Sequence, residues 1–134
     1  MYKYSLNELK KLAEQLADDI SAPFSVMLKG GVGAGKTTFS QFFITKLLKD
    51  KRQPVTSPTF NIIQVYDTVK GDVWHVDLYR INSVDEILEL DLLEAMEKYI
   101  CLIEWSELLY TNGFEKHLEK YNTMIVDLTP ECEL

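Results

Sequence analysis

Gly30-Gly31-Val32-Gly33-Ala34-Gly35-Lys36-Thr37 is the stretch that decides how this chain is read. It satisfies G-x-x-x-x-G-K-[ST], the spacing of a loop whose backbone N–H groups surround phosphate oxygens. Such a match carries weight only between a strand and a helix, and both flanks comply. Upstream, the apolar run Phe24-Ser25-Val26-Met27-Leu28-Lys29 predicts a buried strand. Downstream, Phe39, Phe42, Phe43, Leu47 and Leu48 recur at the spacing of a helix face.

Each residue type in the loop has a physical task. Glycines allow the tight turn that aims several N–H groups, with the following helix N-terminus, into one concavity of positive potential. Lys36 reaches the β- and γ-phosphates as a mobile charge, and the Thr37 hydroxyl is a hard oxygen ligand suited to Mg²⁺. Thr38, one step along the helix, is placed for the α-phosphate. The nucleotide-contacting set expected from this pattern is therefore Gly31, Val32, Gly33, Ala34, Gly35, Lys36, Thr37 and Thr38.

The 134 residues predict a single domain over 1–134, with no room for a second catalytic domain, so further chemistry must come from loops or partners. No apolar stretch reaches transmembrane length, and Met1-Tyr2-Lys3-Tyr4-Ser5 opens into a helix pattern without a signal-peptide core; a soluble, cytoplasmic protein is expected. Cys101 and Cys132 have neither metal-ligand spacing nor the density of a disulfide framework. A net charge of −7 argues against a chain that grips nucleic acid unaided. The charge is uneven: residues 1–52 carry nine basic and five acidic side chains, whereas 81–107 carry eight acidic and only Lys98 as a base, so one end should be acidic.

Along the chain, Ser5-Leu6-Asn7-Glu8 is a capping box ahead of Leu6, Leu9, Leu12, Ala13, Leu16, Ala17 and Ile20, an amphipathic first helix. Phe60–Tyr66 and Val73–Leu78 are β-rich runs joined by a link too short for a parallel crossover, which predicts an antiparallel pair. Ser83-Val84-Asp85-Glu86 opens a helical region to about Lys98. Tyr99-Ile100-Cys101-Leu102-Ile103 is apolar enough for a strand buried on both faces. A short helical segment near Glu107, a turn at Asn112-Gly113 and a last strand over Thr123–Leu128 follow. The alternation predicts an α/β sandwich: a small P-loop NTPase-like fold with a central mixed, partly parallel sheet and helices on both faces.

A phosphate loop needs a carboxylate at a strand end to hold Mg²⁺ or its water. Asp77 and Glu104 both end β runs. Glu104 ends the more apolar run, the expected neighbour of the loop strand, and is ranked first for the metal together with Thr37; glutamate is also long enough to orient an attacking water. Asp77 would support it or sense the γ-phosphate, the alternative being an acceptor for backbone N–H groups in the turn that follows. Between loop and carboxylates, Thr56-Ser57-Pro58-Thr59 bunches three hydroxyls ahead of a strand, as suits a segment that changes order with nucleotide state or, equally, an ordinary strand entry with ST-turns. His75 shares a face with Val73 and Asp77 and is read as structural; Trp105 either lines the pocket or fills the core.

Taken in order, Gly33-Ala34-Gly35-Lys36-Thr37-Thr38, Ser57-Pro58-Thr59-Phe60, His75-Val76-Asp77-Leu78-Tyr79-Arg80 and Glu104-Trp105 closely resemble the TsaE (YjeE) family, ATPases of bacterial tRNA threonylcarbamoyladenosine synthesis. The resemblance implies a small ATPase that binds ATP and ADP with Mg²⁺ and works with TsaB- and TsaD-like proteins. These transfer a threonylcarbamoyl group to the tRNA adenosine beside the anticodon, so tRNA would be met only through the complex. It further implies that Lys36 and the loop amides bind phosphates, Thr37 and Glu104 hold Mg²⁺, residues 57–60 form a switch, and Asp77 is needed for turnover. Gly31 departs from the family, many of whose members carry an acidic residue there, and adenine contacts would fall near Ser5 and Leu6.

Arg52 and Arg80 are the only arginines, and phosphoryl-transfer catalysts usually present an arginine to the transition state. Hydrolysis is therefore expected to be slow alone and stimulated in a complex, with Arg80 the one candidate in cis. The competing reading is a small-molecule P-loop kinase, disfavoured by the acidic region that would have to serve as its lid. A GTP-binding regulator is weaker still, because no Asn-Lys-x-Asp motif occurs.

Overall fold

A computed structural model describes residues 5–31, 33, 35–58, 60–110 and 114–128. Helix α1 (Leu6–Asp19) begins as its capping sequence predicts, Ser5 Oγ accepting from Glu8 N–H at 3.2 Å. Strand β1 (Phe24–Lys29) leads through the glycine-rich loop into α2 (Lys36–Leu47). A hairpin follows, β2 (Ile63–Thr68) and β3 (Gly71–Asp77), then α3 (Val84–Leu88), α4 (Leu92–Lys98), β4 (Ile100–Glu104), a 3₁₀ turn (Ser106–Tyr110), α5 (Glu115–Leu118) and β5 (Thr123–Asp127).

The five strands form one sheet in the order β2-β3-β4-β1-β5. β2 and β3 are antiparallel and the other pairings are parallel, so the sheet is mixed. β1 lies between β4 and β5, and the apolar β4 is buried along its whole length, as its composition requires. Alternation along the strands separates two cores. Val26, Leu28, Val73, Ile100 and Leu102 pack under α1 and α2 with Phe39 and Phe43, whereas Met27, Val76, Cys101 and Ile103 pack under α3, α4, the 3₁₀ turn and α5. Fully buried side chains such as Phe39 and Phe43 each contribute about 1.5–3 kcal/mol by leaving water. Burial pushes the Cys101 thiol up to about 12, so this cysteine is chemically inert.

Three local expectations are corrected. The run expected to be strand from Phe60 starts instead at Ile63, because Ile62 takes a left-handed φ of 67° and donates its N–H to Pro58 O at 2.7 Å, closing a turn. The hairpin link is shorter than expected, Thr68 pairing with Gly71, and Thr68 Oγ1 both donates to Gly71 O (2.6 Å) and accepts from Lys70 N–H (3.1 Å). The helical region after Ser83 breaks at Asp91, whose φ is 58°. Asn112, Gly113 and Cys132 lie outside the described residues.

Two lysines close helix ends. Lys70, in the hairpin, donates to Ala17 O (2.7 Å) and Asp18 O (2.8 Å) at the end of α1, and Lys51 donates to Thr45 O and Lys46 O at the end of α2. Both satisfy carbonyls that a helix terminus leaves orphaned and place a cation at its negative end.

Candidate functional site

The parallel register sets the site. β1 stops at Lys29 and β4 at Glu104, while Leu28 faces Glu104 on one side and Asp77 faces Glu104 on the other. In-register residues of adjacent strands share a face. Both carboxylates therefore stand on the α2 side of the sheet, at the strand ends from which the glycine loop departs. Gly35 must be glycine: it caps α2 with a φ of 98°, and a Cβ there would come within 3.3 Å of Leu9 Cδ2 on α1. At Gly31, by contrast, a Cβ would meet nothing within 4 Å.

A cavity of about 460 Å³ lies over this corner, lined by Gly31, Gly33, Gly35, Lys36, Thr37, Thr38, Asp77, Tyr79, Glu104 and Trp105. The sequence-predicted loop residues, Asp77 and Glu104 thus line one cavity; Val32 and Ala34 lie outside the described residues. Thr37 Oγ1 donates to Glu104 Oε1 at 2.8 Å, tying the first turn of α2 to the end of β4. Glu104 Oε2 meets His75 Nε2 at 2.5 Å, and both side chains are buried.

Lys36 reaches back over its own loop. Its Nζ donates to Gly30 O and to Gly31 O (3.3 Å) and lies 3.5 Å from the centre of the Trp105 ring. Burial lowers its pKa, against the opposing pull of the Glu107, Glu104 and Asp77 carboxylates. Asp77 is raised, first by burial and then by the nearby Glu104 charge, although Tyr79 N–H donates to Asp77 Oδ1 at 2.9 Å and holds it down in part. The backbone-accepting alternative for Asp77 is therefore realised in a residue that also lines the cavity. Lys36 and Asp77, both shifted by burial, line the same cavity, the combination that marks a candidate functional site.

The hydroxyl-rich segment is placed differently. Thr56 N–H donates to Tyr66 OH and Thr56 Oγ1 to Gln64 Oε1, both at 3.3 Å, and Gln41 on α2 donates to Val55 O at 2.9 Å. Thr56, Ser57 and Pro58 are not among the residues lining the cavity, and Thr59 lies outside the described residues. Arg80 stacks 4.7 Å from the ring centre of Phe60, which is 82 % exposed. Arg52 is exposed and paired with Asp50, so neither arginine lines the cavity.

Gly30, Tyr79 and His75 were not anticipated as parts of the site, whereas Trp105 takes the pocket place that was one of its two expected positions. Gly30 supplies a carbonyl to Lys36, and Tyr79 lines the cavity with its ring 4.8 Å from that of Trp105; Tyr79 had a signal, its position two residues beyond Asp77 at a strand end. Trp105 belongs to the cavity and carries a left-handed φ of 55°, a strained backbone that for a bulky residue costs on the order of 1–3 kcal/mol. His75 had only its strand position.

The donor set suits one metal class. Thr37 and Glu104 offer hard oxygens, and no group of three or more His, Cys, Asp or Glu that could cage an ion occurs among the described residues. Mg²⁺ is held in this manner, by one or two protein oxygens with the rest of its shell from phosphates and water. The residues therefore fit it.

The family described as "Threonylcarbamoyl adenosine biosynthesis protein TsaE" matches residues 4–130. A tRNA threonylcarbamoyladenosine biosynthesis protein TsaE of Rickettsia prowazekii is 42 % identical over 105 residues, 78 % of this chain and 72 % of that protein. The protein of the same description from Rickettsia felis is 42 % identical over 102 residues, and the matched region spans 76 % of this chain but 59 % of that relative. The crystal structure of Bacillus subtilis YdiB superposes with a TM-score of 0.61 at 28 % identity, covering 95 % of this chain and 74 % of that one.

Proposed function

The chain belongs to the TsaE family, whose members take part in tRNA threonylcarbamoyladenosine biosynthesis, and on that premise we propose that it is an ATPase serving this pathway. The observation that carries the reading is the Thr37–Glu104 hydrogen bond inside a cavity lined by the glycine loop. It joins, at one point, the helix start that receives phosphates and the strand-end carboxylate that hydrolysis needs.

In this reading the loop N–H groups and the N-terminus of α2 bind the β- and γ-phosphates. Lys36 exchanges its carbonyl partners and the Trp105 ring for phosphate oxygens, a stronger charge-assisted contact. Mg²⁺, when bound, neutralises charge developing on the phosphates, and Thr37 and Glu104 are the residues that would hold it. Glu104 orients the attacking water, Asp77 holds a second carboxylate over the same corner, and Tyr79 with Trp105 forms one side of the cavity. The threonylcarbamoyl transfer itself belongs to TsaB- and TsaD-like partners.

Partner dependence is supported by the arginines. Arg80 is engaged with Phe60 and Arg52 with Asp50, and loss of a transition-state arginine costs on the order of 10³–10⁵ in rate. ATP hydrolysis measured with and without TsaB- and TsaD-like proteins tests this: slow release of phosphate alone and a large stimulation by the pair are expected. Turnover at about one per second or faster by the chain alone, within the ordinary kinase range, would refute it. Phosphate transfer to a metabolite instead of water would move the assignment to a small-molecule kinase.

A further inference from the structure

His75 is fully buried on β3, in the sheet face that packs under α1 and α2, at a position where the pattern of Val73 and Leu102 calls for an aliphatic residue. Among the described residues its Nδ1 has no hydrogen-bond partner, and its Nε2 touches one group, Glu104 Oε2. A ring proton on Nε2, where an acceptor waits, would leave Nδ1 with only a lone pair, which costs less to bury unpaired than an N–H. An imidazole kept in an apolar layer for one contact indicates that the contact matters.

That contact completes a relay: His75 Nε2–H to Glu104 Oε2, buried, and Thr37 Oγ1–H to Glu104 Oε1, part-buried at the cavity. A carboxylate held by one donor can swing about its terminal bond, whereas donors on both oxygens fix its plane. We propose that His75 is a positioning residue for the Mg²⁺ site, clamping Glu104 Oε2 so that Oε1 is presented to Thr37 and the phosphate loop. The proposal rests on the reading of Thr37 and Glu104 as the metal-holding pair. Partners that orient metal ligands in this way are typically worth about 10–100-fold in metal affinity.

The test is calorimetric titration of the 134-residue chain with ADP across a series of Mg²⁺ concentrations and in EDTA, for the wild type, His75→Gln, His75→Asn and Glu104→Gln. A Gln amide nitrogen reaches where Nε2 lies and the shorter Asn does not. His75→Asn is expected to raise the Mg²⁺ concentration for half-maximal effect roughly 10-fold and His75→Gln less than about 3-fold, neither changing ADP affinity in EDTA. A shift equal in both variants, or one that appears equally in EDTA, overturns the proposal in favour of a packing role. If Glu104→Gln leaves the Mg²⁺ requirement unchanged, the metal reading itself fails. If Glu104→Gln moves it and His75→Asn does not, only the positioning role fails. A measurement without substitution stands beside these: ¹⁵N spectra of the wild-type histidines should show an Nε2–H tautomer for His75 whose proton resonance moves when Mg²⁺ joins ADP. An Nδ1–H tautomer, or a signal indifferent to Mg²⁺, overturns it equally.

Discussion

Replacing Thr37 by valine keeps the shape of the side chain and removes one hydroxyl, which isolates the bond to Glu104 Oε1 at 2.8 Å. Removing one partner so that a buried acceptor is left unsatisfied costs about 1–3 kcal/mol. Glu104 is buried but faces the cavity, from which water can reach the vacated oxygen, so the lower part of that range, about 1–2 kcal/mol, applies. For 134 residues the unfolding entropy is about 280 cal/mol/K, and 1 kcal/mol moves Tm by about 3.5 °C. Thr37→Val should therefore lower Tm by about 4–7 °C without nucleotide, read by scanning fluorimetry or calorimetry. The same experiment with ligand separates function from stability. A ligand at one hundred times its Kd stabilises by about 2.7 kcal/mol, about 9 °C here. In Mg²⁺ and ATP the variant should show only the smaller shift that the wild type shows in ATP with EDTA. A Thr37→Val chain with wild-type Tm and a full Mg²⁺-dependent shift would refute both the weight given to this bond and the metal assignment.

Three further outcomes are expected. Lys36→Ala should abolish the ATP-dependent rise in Tm, because it removes the cation facing the phosphates; a retained shift would relocate the binding site. Asp77→Asn should raise Tm at neutral pH while abolishing turnover, since the amide still accepts from Tyr79 N–H and no longer buries a charge. Because the folded-state pKa of Asp77 is raised, its contribution is fully present below the unfolded value of 3.8 and is lost as pH rises through the raised one. The Tm gap between Asp77→Asn and wild type should thus widen from near pH 4 upward and then level off, and a gap constant from pH 4 to 7 would contradict the assignment. Lys70→Met should lower Tm by about 3–7 °C, matching the roughly 1–2 kcal/mol of a partly buried cation at a helix C-terminus, and hydrogen exchange should quicken in the last turn of α1 before elsewhere.

What the sequence disclosed follows the range of the forces involved. The strand and helix that flank the glycine loop, the caps at Ser5 and Ser83 and the hairpin are local, and the structure has each of them. The adjacency of β1 and β4 was legible because an all-apolar run must lie inside a sheet, and that put Glu104 beside the loop. Asp91 was not legible: no glycine or proline marks the break between α3 and α4, and an aspartate in the left-handed region is chosen by the packing of both helices. The turn at Ile62 was hidden for the same reason, since a β-branched residue at positive φ runs against local preference. His75 and Lys70 act across 29 and 53 residues of chain, and no periodicity encodes their partners.

The pairing of Asp77 with Glu104 also constrains how relatives of this chain can change in length. Strand residues alternate faces with a period of two, so deleting Val76, the one residue between His75 and Asp77, would turn one of the two to the opposite core. Point substitutions in β3 leave that geometry intact, whereas a single-codon deletion dismantles it. Insertions are tolerable at the hairpin tip, Val69-Lys70, provided a cation still reaches α1, and around Asp91, where the helix is already interrupted. Lineages should therefore vary in length at these joints and hold the interval from His75 to Asp77 fixed, which makes that spacing a sharper marker of this strand-end arrangement than the widely shared glycine loop.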